Sequence, residues 1–203
     1  MRLFLVRHGE TLWNRESRIM GQSDIELTEK GRRQAERLGE ALKDEKMDAI
    51  YSSSLTRTKQ TAGEIARFHG LEVVADDGLM EIDAGEVDGL TYEELMAKHG
   101  EFLKEWATKG ASLKVPGGES IGELQERAWA TVSGLAEAYA GRTVVAVSHS
   151  LAIQTIICTA LDMSFANMRR LRMDLASISI LHFGGEGASL LLYNDTCHLE
   201  GVS

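Results

Sequence analysis

The sequence predicts an α/β protein, a three-layer α/β/α sandwich around a mostly parallel central sheet. Three observations carry that expectation. Short apolar runs alternate with amphipathic helical stretches over most of the 203 residues. The runs at residues 2–6 and 143–148 are almost continuously apolar, as strands buried on both faces are. No repeat, low-complexity stretch or linker interrupts the pattern, and the single proline, Pro116, marks none. One domain over residues 1–203 is therefore expected, with a lid insertion at about 78–118.

The elements follow in order. Residues 2–6 ("RLFLV") form a first strand. Residues 28–43 form a helix capped by Thr28, with Ala35, Leu38 and Leu42 on one face. "DAIYSS" at 48–53 is a second strand, and 55–70 a helix closed by Gly70. "LEVVAD" at 71–76 reads as a third strand. Residues 78–90, rich in glycine and acids, read as a loop, and 91–118 as short helices and irregular chain ending in "VPGGES". Ser120 and Glu123 form a capping box for a helix to about 140. A strand at 143–148, a helix at 150–161 and a hairpin of 177–183 with 189–193 complete the chain.

Composition narrows the function classes. A net charge of −9 argues against nucleic acid and anionic membrane as partners. No stretch approaches the roughly 20 apolar residues of a membrane span. "MRLFLV" is too short for the apolar core of a signal peptide, so a cytoplasmic protein is expected. Cys158 lies in an apolar helical pattern and reads as buried and inert. Cys197 has no redox motif around it.

The chemistry gathers where strands end, the edge at which open α/β sheets bind ligands. The first strand delivers Arg7-His8-Gly9, and the strand at 143–148 delivers His149-Ser150. A third strand–turn–helix carries Arg57. The helix that opens at Ser150 offers free N–H groups to an anion. If these ends converge, two imidazoles, two guanidiniums and a helix N-terminus face one pocket, which is a phosphate site. An arginine ending a buried strand requires anionic partners to offset its desolvation. No Asp-x-Asp or His-x-x-x-His spacing supplies a metal, so neither metal nor cofactor is expected. His69, His99, His182 and His198 read as surface or structural residues, and Asp76, Asp77, Asp83, Glu86 and Asp88 as a solvated acidic face.

"RHGETLWN" at 7–14 resembles the signature of the histidine phosphatase superfamily, which includes the cofactor-dependent phosphoglycerate mutases. Four further segments resemble that family in the same order: "GQSDIELTEKGRRQA", "SSSLTRTKQTA", "LMEIDAGEVDG" and "VSHS". The resemblance spans nearly the whole chain and implies a phosphoglycerate mutase-like fold. It implies that His8 is the nucleophile and forms a phosphohistidine. Arg7, Arg57 and His149 would clamp the phosphoryl oxygens, with Asn14 adding a neutral hydrogen bond. Gly9 would allow close backbone approach, and Gly21, Gln22 and Ser150 would border the substrate. Glu81 would be the general acid and then the base. A site full of cations predicts a Glu81 that rests ionised.

The implied partner is a small phosphate ester, and a homodimer is the assembly kept open. Hydrolysis is favoured over mutase activity for two reasons. The chain follows His149 with Ser150-Leu151 where the mutases carry Gly-Asn, and 78–118 holds only Lys98, Lys104, Lys109 and Lys114 among many acids. "PGGES" resembles the broad-specificity and α-ribazole phosphatase branches, although a turn and a helix cap account for it. A mutase, and a non-catalytic phosphate-binding module on the same fold, are the alternatives.

Overall fold

A computed structural model describes residues 1–109, 112–185 and 187–202. Gly110 and Ala111, which fall in the predicted 78–118 insertion, lie outside the described residues.

Six strands form one mixed sheet. In chain order the elements are β1 (Arg2–Arg7), α1 (Leu12–Arg15), α2 (Glu29–Leu42), β2 (Ala49–Ser52), α3 (Thr56–His69) and β3 (Val73–Ala75). Then follow α4 (Tyr92–Lys109), α5 (Ile121–Ala138), β4 (Thr143–Ser148), α6 (Ser150–Ala160), β5 (Ile178–Gly184) and β6 (Gly187–Asp195). The strand order is β3-β2-β4-β1-β5-β6. The first four strands run parallel, and the β5–β6 hairpin adds two antiparallel strands at one edge.

Strand alternation builds the three layers. Leu3 and Leu5 of β1, with Val144 and Ala146 of β4, pack against Val132 and Leu135 of α5 and Ile153, Ile156 and Ile157 of α6. Phe4, Val6, Val145 and Val147 point the other way, against Leu38 and Leu42 of α2 and Ala62 and Ile65 of α3. Both central strands are thus apolar at every interior position because each face meets a helical layer.

The helix ends form as their sequences dictate. The Thr28 hydroxyl accepts from Gly31 N–H, Ser120 and Glu123 close a capping box, and Gly70 ends α3 in the left-handed region at φ 62°. One element differs from expectation. The third strand keeps only Val73–Ala75, because it is an edge strand with Val74 exposed. Within α4 the chain is two short helices that meet at a kink, as expected: His99, with φ of −130° and ψ of 31°, leaves the helical region between them. Cys158 is buried, and no helix among the described residues is long and apolar enough to cross a membrane.

Candidate active site

The register of the two central strands assembles the site. β1 and β4 run parallel with Arg7 opposite Ser148, so the next residues of both strands, His8 and His149, emerge side by side. Their ring centroids lie 5.2 Å apart, and His8 N–H donates to Ser148 O. β2 flanks β4 on its other side, and the α3 helix that follows it brings in Arg57. Sheet order alone thus places two histidines and an arginine together at the carboxyl edge.

Hydrogen bonding fixes the His8 tautomer. Its Nδ1 lies 2.7 Å from Gly9 O, which can only accept, so Nδ1 carries the proton and the Nε2 lone pair is free. The ring is 1 % exposed. Burial, followed by Arg57 and Arg7, pushes its pKa well below the ordinary 6.5, so the imidazole is neutral. Gly9 allows the backbone approach that was expected of it, but towards the protein: a Cβ there would sit 2.5 Å from Gly31 O of α2.

His149 is also neutral, pushed well below 6.5 by burial and then by Arg57. Arg57 Nε can only donate, and it lies 3.3 Å from His149 Nδ1, so His149 carries its proton on Nε2 and donates to Ser53 Oγ at 2.9 Å. The remaining Arg57 bonds go to Ser23 O and Gly21 O, both at 2.7 Å. Burial lowers the Arg57 pKa to about 10, still far above neutrality.

Arg7 leans across the opening with Nη1 on Met173 O at 2.5 Å, and its buried Nε has no protein partner among the described residues. That orphaned donor is what an anion would satisfy. Asn14 and Arg7 line a cavity of about 650 Å³ with Gln34, Arg172 and Asp174, a space that His8, Arg57, Glu81 and His149 do not themselves line. Asn14 Oδ1 accepts from Thr11 N–H and the Thr11 hydroxyl, both at 3.0 Å, so the amide NH₂ is the end left for a ligand.

Glu81 is 5 % exposed and sits at the start of α6. Its carboxylate accepts from Ile82 N–H at 2.9 Å, Leu151 N–H at 3.1 Å and Ala152 N–H at 3.3 Å. This corrects one expectation: an anion does occupy the α6 N-terminus, but it is the protein's own carboxylate. Ser150 itself is half-buried at that terminus. A second correction concerns charge. Burial pushes the Glu81 pKa above the ordinary carboxylate range, outweighing the Ile82 and Leu151 N–H groups, Arg57 and Arg7. The surrounding cations were expected to dominate, and burial is the larger effect.

Two of the expected substrate-side residues bond to the catalytic machinery. Gly21 N–H donates to Asp88 Oδ1 at 2.8 Å while Gly21 O accepts from Arg57, so its backbone groups are both committed. Gln22 Nε2 donates to Glu81 O at 3.1 Å. The acidic face is less solvated than predicted. Asp88 also takes Ser23 N–H at 3.0 Å, fixing the turn that binds Arg57, and Asp76 caps the turn at Gly78. Sequence reasoning passed over Asp88, Ser53 and Thr61, which accepts from Gly9 N–H at 3.2 Å. The hydroxyls carry no signal in sequence: Ser53 is a short polar residue just past β2, and Thr61 lies inside α3. His198 bonds Ala176 O at 3.0 Å, and Ala176 N–H bonds His8 O, so His198 reaches His8 only through the backbone.

Fold and site together define a class, phosphatases built around a buried pair of histidines and guanidiniums. The chain belongs to the histidine phosphatase superfamily, branch 1, whose family model matches residues 3–196. It is 36% identical over 199 residues to phosphoserine phosphatase 1 of Hydrogenobacter thermophilus, covering 98% of this chain and 94% of that protein. It is 36% identical over 183 residues to a probable phosphoglycerate mutase, GpmB, of Salmonella choleraesuis, covering 90% of this chain and 85% of that one. Among solved structures, Bacillus stearothermophilus YhfR superposes with a TM-score of 0.91 at 30% identity, covering 98% of both chains.

Proposed function

We propose that the chain hydrolyses small phosphate monoesters through a phosphohistidine on His8. The single observation that carries the reading is the state of His8: neutral, with the proton fixed on Nδ1 by Gly9 O and Nε2 free beside two guanidiniums.

In the first step His8 Nε2 attacks phosphorus, the ester P–O bond breaks, and the leaving alkoxide takes the Glu81 proton. In the second, water attacks the phosphohistidine and gives its proton to the Glu81 carboxylate, which releases phosphate and restores both groups. Charge developing on the phosphoryl oxygens meets Arg7, whose Nε is unpaired, and Arg57, with the Asn14 NH₂ as a neutral donor. A phosphoryl oxygen reaching His149 Nε2 would replace the Ser53 hydroxyl there. His149 also holds Arg57, so it serves the clamp in both ways. Gly9, Gly21, Gln22 and Asp88 keep these groups in place, and Ser150 begins the helix that holds Glu81.

Glu81 lies in the expected insertion, whose Ile82, Val87, Leu95 and Val115 pack with Ala152 of α6, and a cover for the leaving group is the role this reading gives that segment. The phosphoserine phosphatase relative, covering 98% of the chain, favours a small phosphorylated acid as substrate. The mutase-like relative keeps isomerisation as the second reading.

Rapid acid quench with labelled substrate is the test. An alkali-stable, acid-labile label that is lost in His8→Ala is expected. An acid-stable label would point to a serine and overturn the reading. Turnover across a panel of phosphorylated metabolites, with and without a bisphosphoglycerate primer, separates hydrolase from mutase.

A further inference from the structure

The "PGGES" stretch and the helix behind it have no part in the chemistry above. A helix cap explains Ser120 and Glu123 but leaves Glu119 and Arg127 unexplained. We infer that Arg127, locked by Glu119, is a positioning residue that sets the backbone of the general acid; the inference rests on the role given to Glu81.

Glu81 lies between two single turns, Asp77–Leu79 and Gly85–Val87, on chain with no ladder of its own. Its main chain is held from α5. Arg127 Nη1 donates to Gly78 O at 3.0 Å and to Met80 O at 2.8 Å, and Nη2 donates to Glu81 O at 2.7 Å. Nε and Nη2 also grip the two Glu119 oxygens at 2.7 and 2.9 Å. Glu119 Oε2 in turn accepts from Asp83 N–H at 3.1 Å. One planar fork therefore fixes carbonyls just before Glu81 and its own carbonyl, while its counter-ion fixes the chain two residues on. Only guanidinium presents enough donors in a rigid plane for this.

The glycine turn docks on the next stretch of the same loop. Glu119 N–H donates to Asp83 O and Glu86 N–H to Pro116 O, both at 2.9 Å. A Cβ on Gly118 would lie 2.2 Å from Asp83 O, so that approach requires glycine. Glu81 is thus held at both ends: its backbone by Arg127 and Gln22, its carboxylate by the α6 N–H groups. A displacement of about 1 Å at a catalytic group is enough to cost a large factor in rate.

The test measures formation of phosphohistidine from an alkyl phosphate and from p-nitrophenyl phosphate in the full chain. The variants are Arg127→Gln, Arg127→Lys, Glu81→Gln and the Glu81/Arg127 double glutamine. Arg127→Gln should slow the alkyl reaction by up to about 100-fold, the factor that a misplacement of about 1 Å can cost, and the aryl reaction much less. Arg127→Lys, with one point donor, should recover part of the loss. The double variant should be no slower than Glu81→Gln, since both act through one group. If Arg127→Gln does not fold, Glu119→Gln should show the same alkyl-selective loss. Unchanged rates, equal loss for both substrates, or multiplying losses in the double variant would each overturn the inference while a crippled Glu81→Gln upholds the acid role. An unaffected Glu81→Gln would remove that role and this inference with it.

Discussion

Replacing Glu81 by glutamine tests the acid directly. The change preserves size but removes the transferable proton. An alkyl phosphate leaves as a strongly basic alkoxide, so it needs that proton; a p-nitrophenolate does not. General acid catalysis is worth about 10²–10⁴-fold, or about 3–5 kcal/mol, so Glu81→Gln should slow phosphorylation of His8 by that factor for alkyl substrates. The structure adds a smaller term. The carboxylate meets three N–H donors, from Ile82, Leu151 and Ala152, and an amide must turn its NH₂ towards at least one of them. With the aryl substrate the first step should be largely spared, but water attack loses its base, so phosphoenzyme should accumulate. Because burial raises the Glu81 pKa, the parent's alkyl phosphorylation should also fall as pH rises through that raised value. The glutamine variant should lack this limb. Pre-steady-state quench kinetics with both substrates is the assay. Equal loss for both without phosphoenzyme build-up would mean that Glu81 only shapes its loop, and Asp83 or Glu86 would need testing as the donor.

Three other outcomes are expected. Arg57→Ala should lose about 3 kcal/mol or more of transition-state stabilisation, measured as kcat/KM, because a buried charge and the partner of His149 Nδ1 vanish together; a loss confined to KM would contradict this. Activity should survive a strong chelator and fall with orthovanadate, and magnesium- or zinc-restored activity after chelation would refute a clamp made of protein cations. His8 and His149 have pKa values depressed far below 6.5, so the unfolded chain takes up protons that the folded one refuses. Stability from them is complete above 6.5 and drains as pH falls below it, by about 1.4 kcal/mol per pH unit for each. Urea midpoints between pH 7.5 and 5 should show this, and His149→Gln should flatten the slope.

What the sequence made legible follows from where each signal resides. The three layers were readable because β1 and β4 are apolar on both faces and the caps at Thr28, Gly70 and Ser120 are local chemistry. His8 and His149 were readable because they end those strands, and strand register brings them together. The residues passed over act through tertiary bonds to backbone. Asp88 binds Gly21 and Ser23 across 65 or more residues of chain, and Arg127 binds carbonyls 46 to 49 residues away. Such partners have no periodicity, so Asp88 reads as one more solvated acid. The short helices of 92–109 were readable because their periodicity breaks at His99, where the chain kinks. The direction of the Glu81 pKa shift was misjudged because sequence displays nearby arginines but not burial, and burial is the larger effect.

The electrostatics of the site explain why it takes an anion inside a chain of net charge −9. Among the described residues, neither Arg7 nor Arg57 has a carboxylate within bonding distance. Arg57 is held by two carbonyls and a neutral imidazole, and Arg7 by one carbonyl. Dipoles orient these guanidiniums without cancelling their charge. Both carry a desolvation cost, seen in their lowered pKa values. Glu81 is the largest influence that offsets it at both, but burial still outweighs Glu81 and both pKa values stay lowered. The acids that could neutralise the pocket are turned to other tasks: Asp88 to backbone N–H groups, Asp174 to Asn194 and Arg172, Glu119 to Arg127. An incoming phosphoryl group therefore meets positive charge already desolvated and already aimed. Reorganisation that water would demand during transfer has been completed by folding.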